Sequence, residues 1–517
     1  MILKNFVKPN CYQDSVVLMT ISSKIKELPG VKEVSVLMGT NQNKELLKEV
    51  NLLDEEGVCA NPNDLIISIL AEDYKTIEDA LNKVEEFLNK KETQFETEDE
   101  YVPHSQEMAF EIQPLTNMVI ISVPGKYASW EAQKALERNC NVMIFSDNVP
   151  IEEELRLKTL AKEKDLIVMG PDCGTAIING VALGFANVVR KGEIGIVGAS
   201  GTGIQQVSTI ISNNGAGISQ AIGTGGRDLS EKIGGISMLS GIKALELDPE
   251  TKVIVIISKP PAKEVSKNIL NFIKNDCKKP FVINFLGEKN ISESDRIFFT
   301  QTLEDTAYMA LNILNKKHIS FNQNLDEMYK LSKFYWEKLN DNQKYIRGLF
   351  SGGSLCDESL FILKNILKKG VYSNLSLEKE WKLKDSKVSQ EHTLIDLGDD
   401  EFTVGRPHPM IDFNLRNERI LQECSDKETA VILLDIVLGF GAHINPAEAL
   451  TPVIKKVKSE TNIPIVCSIC GTNEDPQDLN KQKNILQGLG VIVCPTNAQA
   501  TKIAAIIVMR NIPDLVF

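Results

Sequence analysis

The chain has 517 residues, 43% apolar and 25% charged, and carries a formal net charge of −13. That composition is ordinary for a globular protein, and the length exceeds what one core serves, so about three or four domains are expected. So acidic a chain is repelled by nucleic acid and by membrane surfaces, which excludes both as expected partners, while helix dipoles leave small anionic substrates open.

The opening residues, Met1-Ile2-Leu3-Lys4-Asn5-Phe6, lack the basic-then-apolar order of a secretory signal. Residues 14–15 open a helical pattern, 34–38 and 65–70 read as strands, and Ile77, Ala80, Leu81, Val84, Phe87 and Leu88 recur at helical spacing. Residues 1–93 thus form a small α+β module, followed by an acidic linker at 92–100. From residue 117 short apolar segments (119–123, 142–145, 166–169, 194–197, 253–257, 281–285) alternate with helix-length stretches, the mark of βαβ units. Leu325, Met328, Leu331, Tyr335 and Leu339 suit a helical connector, and a second set of strands follows at 348–350, 394–397, 431–436, 463–469 and 491–493. The expected architecture is α/β, with several open parallel-sheet domains, Rossmann-like and flavodoxin-like, divided at 109–190, 191–316, 317–345 and 346–517 behind the N-terminal module. The apolar run at 431–434 is too short to span a bilayer. Ten cysteines in this length suit a reducing compartment, so the cytoplasm is expected. Cys467 and Cys470 form a C-x-x-C inside a buried strand, with no second pair or nearby histidine, so structural thiols and no metal site are expected.

The sharpest motif is Ile194-Gly195-Ile196-Val197-Gly198-Ala199-Ser200-Gly201-Thr202-Gly203, a strand, a small-residue turn and a helix start. It brings backbone N–H groups close to an anion, with Ser200 and Thr202 adding hydroxyls; the alternative is a tight βα turn capped by Ser200. It is neither a Walker A loop nor a dinucleotide fingerprint. A second turn, Gly439-Phe440-Gly441, ends the strand that carries Asp435, itself a functional carboxylate or a strand-end cap. Further glycine turns follow other strands: Gly225-Gly226-Arg227, Ser351-Gly352-Gly353-Ser354, Gly398-Asp399-Asp400 and Gly471-Thr472-Asn473. Arg227 either grips an anion or pairs with a neighbouring acid. Arg406 and His408 stand in Gly405-Arg406-Pro407-His408-Pro409, a loop shaped by its prolines that serves either substrate contact or structure.

Met169-Gly170-Pro171-Asp172-Cys173-Gly174, the 194–202 motif, the 223–228 turn and Leu247-Asp248-Pro249-Glu250-Thr251 resemble, in that order, the α subunit of succinyl-CoA synthetase. Ser122-Val123-Pro124-Gly125 is similar to its CoA-contacting loop, and 346–517 resembles the carboxyl-terminal ligase domain of the β subunit. Fused behind a module containing Asn10-Cys11-Tyr12-Gln13-Asp14-Ser15 and Met38-Gly39-Thr40, this arrangement resembles the FdrA family of acyl-CoA synthetase-like proteins. The resemblance makes 109–190 a CoA-binding-like domain and 191–316 and 346–517 two ligase-like domains. It implies a phosphate between Ser200, Gly201, Thr202 and Gly203 on one side and Gly439, Phe440 and Gly441 on the other. Arg227, Arg406 and His408 would then be catalytic, and Gly225, Gly226, Gly353 and Asn473 would contact substrate. The synthetase's phosphohistidine stretch is replaced by Asn284-Phe285-Leu286-Gly287, and no ATP-grasp domain is present, so neither phosphohistidine nor ATP chemistry is expected. The family resemblance implies a subunit of an oxamate carbamoyltransferase in allantoin catabolism, joining carbamoyl phosphate to oxamate and releasing phosphate. No cofactor is required on that reading, phosphate or carbamoyl phosphate is the ligand, and CoA is an alternative one. Companion subunits encoded nearby and a homo-oligomer are expected; an acyl-CoA synthetase subunit or a non-catalytic scaffold are the alternatives.

Overall fold

The computed structural model describes residues 1–11, 13, 15–26, 28–93, 103–286, 295–315, 325–376, 378–403 and 406–511. They fall into two compact units, Met1–His104 with Asp400–His408, and Ser105–Asp399 with Pro409–Phe517. The expected helical connector is Leu325–Trp336, whose end packs Tyr335 and Trp336 on the core. His318 and part of the 284–289 stretch lie outside the described residues.

In the first unit β1 (Ile2–Lys8), β2 (Val31–Met38) and β3 (Leu65–Ala71) form an antiparallel sheet in the order β1-β3-β2. β3 is central because it is apolar on both faces. Leu65, Ile67 and Ile69 join the helices Ser15–Lys26 and Tyr74–Thr93 in one core, while Ile66 packs on Leu47, Leu52 and Ala60 in another. The buried Asn5 on β1 donates to Ser68 Oγ on β3 at 3.0 Å and to the Leu52 carbonyl at 3.1 Å, which pairs polar groups that would otherwise be stranded in the core.

The second unit opens with a parallel three-stranded sheet, β4 (Met118–Ile121), β5 (Asn141–Ile144) and β6 (Val168–Met169). Next come β7 (Thr175–Ile178), β8 (Val181–Gly184), β9 (Lys191–Gly198), β10 (Ile218–Gly223), β11 (Val253–Ser258), β12 (Phe281–Phe285) and β13 (Ile297–Phe299). They order as β13-β12-β11-β9-β10-β7-β8, parallel from β13 to β10, with the β7–β8 hairpin antiparallel at the edge. That hairpin lies within 109–190 in sequence but belongs to the seven-stranded sheet. The last sheet contains β14 (Tyr345–Phe350), β15 (Tyr372–Ser373), β16 (Thr393–Asp396), β17 (Thr429–Val437), β18 (Ile465–Cys470) and β19 (Ile492–Cys494), ordered β15-β16-β14-β17-β18-β19 and parallel throughout.

After the β7–β8 hairpin the parallel strands of the first large sheet start at β9, those of the second start at β14, and each set winds outward in opposite directions. Strand order therefore reverses beside β9, between β10 and β11, and beside β14, between β16 and β17. Crevices at such reversals, at the carboxyl ends of the strands, are where open α/β sheets bind ligands. A single hydrophobic core runs from Ile196 and Ile204 of the first sheet layer to Phe350 and Leu355 of the second. Cys467 and Cys470 lie buried on β18, and burial pushes both thiols up, Cys467 to about 12. They sit three positions apart on a strand and so point to opposite faces.

The three-stranded sheet is fastened to its neighbour by charge. Lys158, fully buried, donates to Asp228 Oδ1 at 2.8 Å and the Thr224 carbonyl at 2.9 Å, and pairs with Glu154 Oε1 at 2.9 Å. Lys158→Met should leave two buried carboxylates without their shared cation and cost about 3–5 kcal/mol, read as a lower urea midpoint for the transition reported by Trp130.

Candidate functional site

The helix Gly201–Asn213 begins directly after β9, with Ser200 as its N-cap accepting from the Gly203 N–H at 3.0 Å. Glycine is required at 203, because a Cβ there would stand 2.3 Å from Ser200 Oγ and 2.9 Å from Ile257. The helix Gly353–Leu367 begins directly after β14, with Gly352 as its N-cap. These two helix ends meet. Ser200 Oγ and Ser354 Oγ are 2.5 Å apart, and a Cβ on Gly352 would lie 3.0 Å from Thr202 Cγ2. The two chain reversals thus face one another, each presenting N–H groups with no acceptor inside their own helix.

The turn before the second helix is set by Asp435 on β17, which is wholly buried. It accepts from the N–H of Ser351 at 2.8 Å and of Gly352 at 2.7 Å, and from Ser351 Oγ at 3.1 Å. Arg416, equally buried, neutralises it through Nη2 and reaches back to the Leu349 carbonyl at 2.8 Å. Of the two readings of Asp435, the structure selects the cap.

Next to the helix ends, Ser200, Ile257, Ser258, Lys259, Leu286, Leu303, Ser354 and Asp357 line a small cavity. Lys259 Nζ stands 2.8 Å from Asp357 Oδ2. Burial disfavours the Lys259 ammonium, but Asp357 and Asp396 outweigh it and hold the group above its ordinary range. Burial pushes Asp357 up against the pull of Lys259, and pushes Asp396 up to about 7 against the Gly398 N–H at 2.9 Å and Lys259. Asp396 also lies against the helix start, where a Cβ on Gly353 would fall 2.6 Å from its Oδ2.

The structure corrects the expected second half of the phosphate cradle. Gly439, Phe440 and Gly441 do not start a helix; the next one is Pro446–Glu460. Two of their N–H groups are also engaged, Gly439 to Gln477 Oε1 at 3.0 Å and Phe440 to the Ala186 carbonyl at 2.9 Å. Both glycines have positive φ and allow close packing, since a Cβ would meet the Ala186 carbonyl at 2.5 Å or the Phe185 ring at 2.8 Å.

The other named residues hold other places. Gly225 packs on Pro171, whose carbonyl would be 2.3 Å from an added Cβ, while Gly226 is exposed. Arg227 pairs with Glu154 at 2.9 Å and donates to the Val149 carbonyl at 2.8 Å, the neighbouring-acid alternative. Asn473 accepts from the Asn480 N–H at 3.1 Å at the start of the helix Leu479–Gly488. Arg406, exposed, and His408, half-buried, belong to the segment that groups with Met1–His104. Sequence reasoning passed over Ser258, Lys259 and Asp357; the one signal for the lysine was its place just after an apolar strand, before Pro260 and Pro261.

Comparison with known proteins agrees with this architecture. Three family models match: an AllF heavy metal-associated domain at residues 1–103, a CoA binding domain at 189–285 and a CoA-ligase at 349–507. The CoA-binding match falls on the segment expected to be the first ligase-like domain. The Escherichia coli K12 protein YahF is 44% identical over 516 residues, covering 98% of each chain. The chain belongs to the FdrA family. The family is a fusion of succinyl-CoA synthetase-like parts. The succinate–CoA ligase α subunit of Staphylococcus epidermidis is 24% identical over 35% of this chain and 59% of its own length. An Archaeoglobus fulgidus counterpart is 28% identical over 27% and 49%. The chain thus spans roughly half the length of these ligase subunits. Among the described residues no group of three or more His, Cys, Asp or Glu side chains is placed to hold a metal ion. Also among the described residues, no helix is long and apolar enough to cross a membrane.

Asp396 gives the site a pH signature. Its folded carboxyl, at about 7 against an ordinary 3.8, favours the protonated form. Its contribution to stability is therefore full below the unfolded value and is lost as pH rises through the folded one. The urea midpoint of the wild type should fall relative to Asp396→Asn between about pH 5 and about pH 8, while the variant loses that part of the slope.

Proposed function

We propose that the chain acts in the acid–CoA ligase class of acyl and phosphoryl transfer, holding a phosphate-bearing substrate where the helices Gly201–Asn213 and Gly353–Leu367 start. The contact between Ser200 Oγ and Ser354 Oγ, 2.5 Å, carries this reading, because it brings one helix N-terminus from each ligase-like half to the same point. Each end carries about half a positive elementary charge, and a phosphoryl oxygen replacing the serine–serine hydrogen bond would accept from both hydroxyls. The residues near the site provide positioning and electrostatic stabilisation of the anion.

CoA as acyl acceptor fits one further surface. The turn Pro124–Gly125 starts the helix Gly125–Glu137, and beside it Lys126, Trp130 and Arg156 line an open groove. There Lys126 and Arg156 would meet the phosphates and the exposed Trp130 the base. Bound there, CoA supplies a thiol to receive the acyl group.

A second reading, carbamoyl transfer between carbamoyl phosphate and oxamate with companion subunits, is favoured by the AllF description matched to residues 1–103. It uses the same phosphate position and needs neither CoA nor ATP.

Ser200→Ala and Ser354→Ala should each weaken inorganic phosphate binding by about tenfold or more, as the loss of a hydrogen bond to a charged group does, measured by calorimetry on the full chain. Trp130→Ala should weaken CoA binding without affecting phosphate. Phosphate-dependent cleavage of oxalurate, assayed with and without the proteins encoded beside this chain, separates the readings: turnover with no CoA requirement selects carbamoyl transfer.

A further inference from the structure

The cavity beside the helix ends is two-sided. Its polar side carries the hydroxyls of Ser200, Ser258 and Ser354 with Lys259 and Asp357; its other side is Ile257, Leu286 and Leu303. Lys259 comes from the loop after β11, the strand across the reversal from β10, whereas Asp357 lies on the helix Gly353–Leu367 of the other ligase-like half. The ion pair of 2.8 Å and the serine pair of 2.5 Å therefore bridge the same two halves at the same cavity. Both are contacts that a tetrahedral dianion can replace, since it accepts from hydroxyls and ammonium alike.

Resting on the reading above, we propose that Lys259 is the cation that binds the substrate's phosphate and that Asp357 is an internal competitor for the same ammonium. The phosphate takes Ser200, Ser354 and Lys259 at the mouth of the cavity, in place of the serine pair and the ion pair. Lys259 is 55% exposed, so an anion reaches it from solvent before the ion pair has fully parted. Competition from Asp357 also sets a threshold, because ligand binding must exceed the attraction between the two side chains. Neither residue was singled out by any sequence motif, and neither takes part in a structural network comparable to that of Lys158 or Arg416.

The test is calorimetry at low ionic strength on the full chain, with inorganic phosphate and acetyl phosphate as probes, on the wild type, Lys259→Met, Asp357→Asn and Ser354→Ala. Lys259→Met should weaken both probes by roughly tenfold and Asp357→Asn should tighten them several-fold, as removal of one charge from either side of a close pair does. Opposite signs distinguish this from structural damage, which weakens binding in both variants. Unchanged affinity in Lys259→Met, alongside loss in Ser354→Ala, overturns the role of Lys259 while leaving the helix-end reading intact. A wild type that binds neither probe overturns the helix-end reading and the inference with it.

Discussion

The buried carboxylate of Asp435 is the constraint on which the site depends. It sits at the end of β17, beside the turn that follows β14, and accepts from the N–H groups of both Ser351 and Gly352. A free turn at that place has many conformations; with two N–H groups fixed it has one, and the helix Gly353–Leu367 leaves it in a fixed direction. A lone buried carboxylate is costly, and Arg416 makes it tolerable by pairing with it while also binding the Leu349 carbonyl on β14. Strand β17, strand β14 and the helix end are thereby locked together, and Ser354 is presented to Ser200.

A second polar seam fixes how the two large sheets lie against each other. Asn187 donates to Asp475 at 2.8 Å and to the Leu438 carbonyl at 2.9 Å, Gln205 donates to Asn187 at 3.0 Å, and Thr472 donates to the Val188 carbonyl at 2.7 Å. Hydrophobic burial joins the halves through a common core but is non-directional. Hydrogen bonds of this kind are directional, and they select one registration. The same seam occupies the 439–441 turn and accounts for its glycines as packing residues. A related cluster ties Glu358 to Asn497 at 2.8 Å and to the Leu303 N–H at 2.6 Å, with burial pushing Glu358 up to about 7.

The family relationship and the geometry bear on different parts of the functional question. Membership rests on similarity along the whole chain, whereas these ligase relatives match 35% of it or less. The geometry adds the pairing of Lys259 with Asp357 across the cavity. Specificity in such a site is a matter of which charges face the ligand, because helix ends attract any anion.

The α/β order, the parallel sheets and the glycine turn at Ser200, Gly201, Thr202 and Gly203 were all legible in the sequence. Apolar strands buried on both faces read as continuous runs, and a helix start after a strand needs small residues that mark themselves. Strand β1 escaped notice because its residues follow neither a full apolar run nor a clean alternation, whereas the β7–β8 hairpin was signalled by Asn179-Gly180 between two short apolar runs, both residues having positive φ. Which turn would oppose Ser200 was decided only in three dimensions. Gly439 to Gly441 and Gly352 to Ser354 look alike in sequence, each ending an apolar strand. Only the second is followed at once by a helix, while the N–H groups of Gly439 and Phe440 in the first are taken by Gln477 and Ala186. Local pattern records a residue's own conformation, and Ser200 and Ser354 lie 154 residues apart. Their meeting is set by packing and by the buried charge of Asp435, neither of which leaves a periodic trace in the chain.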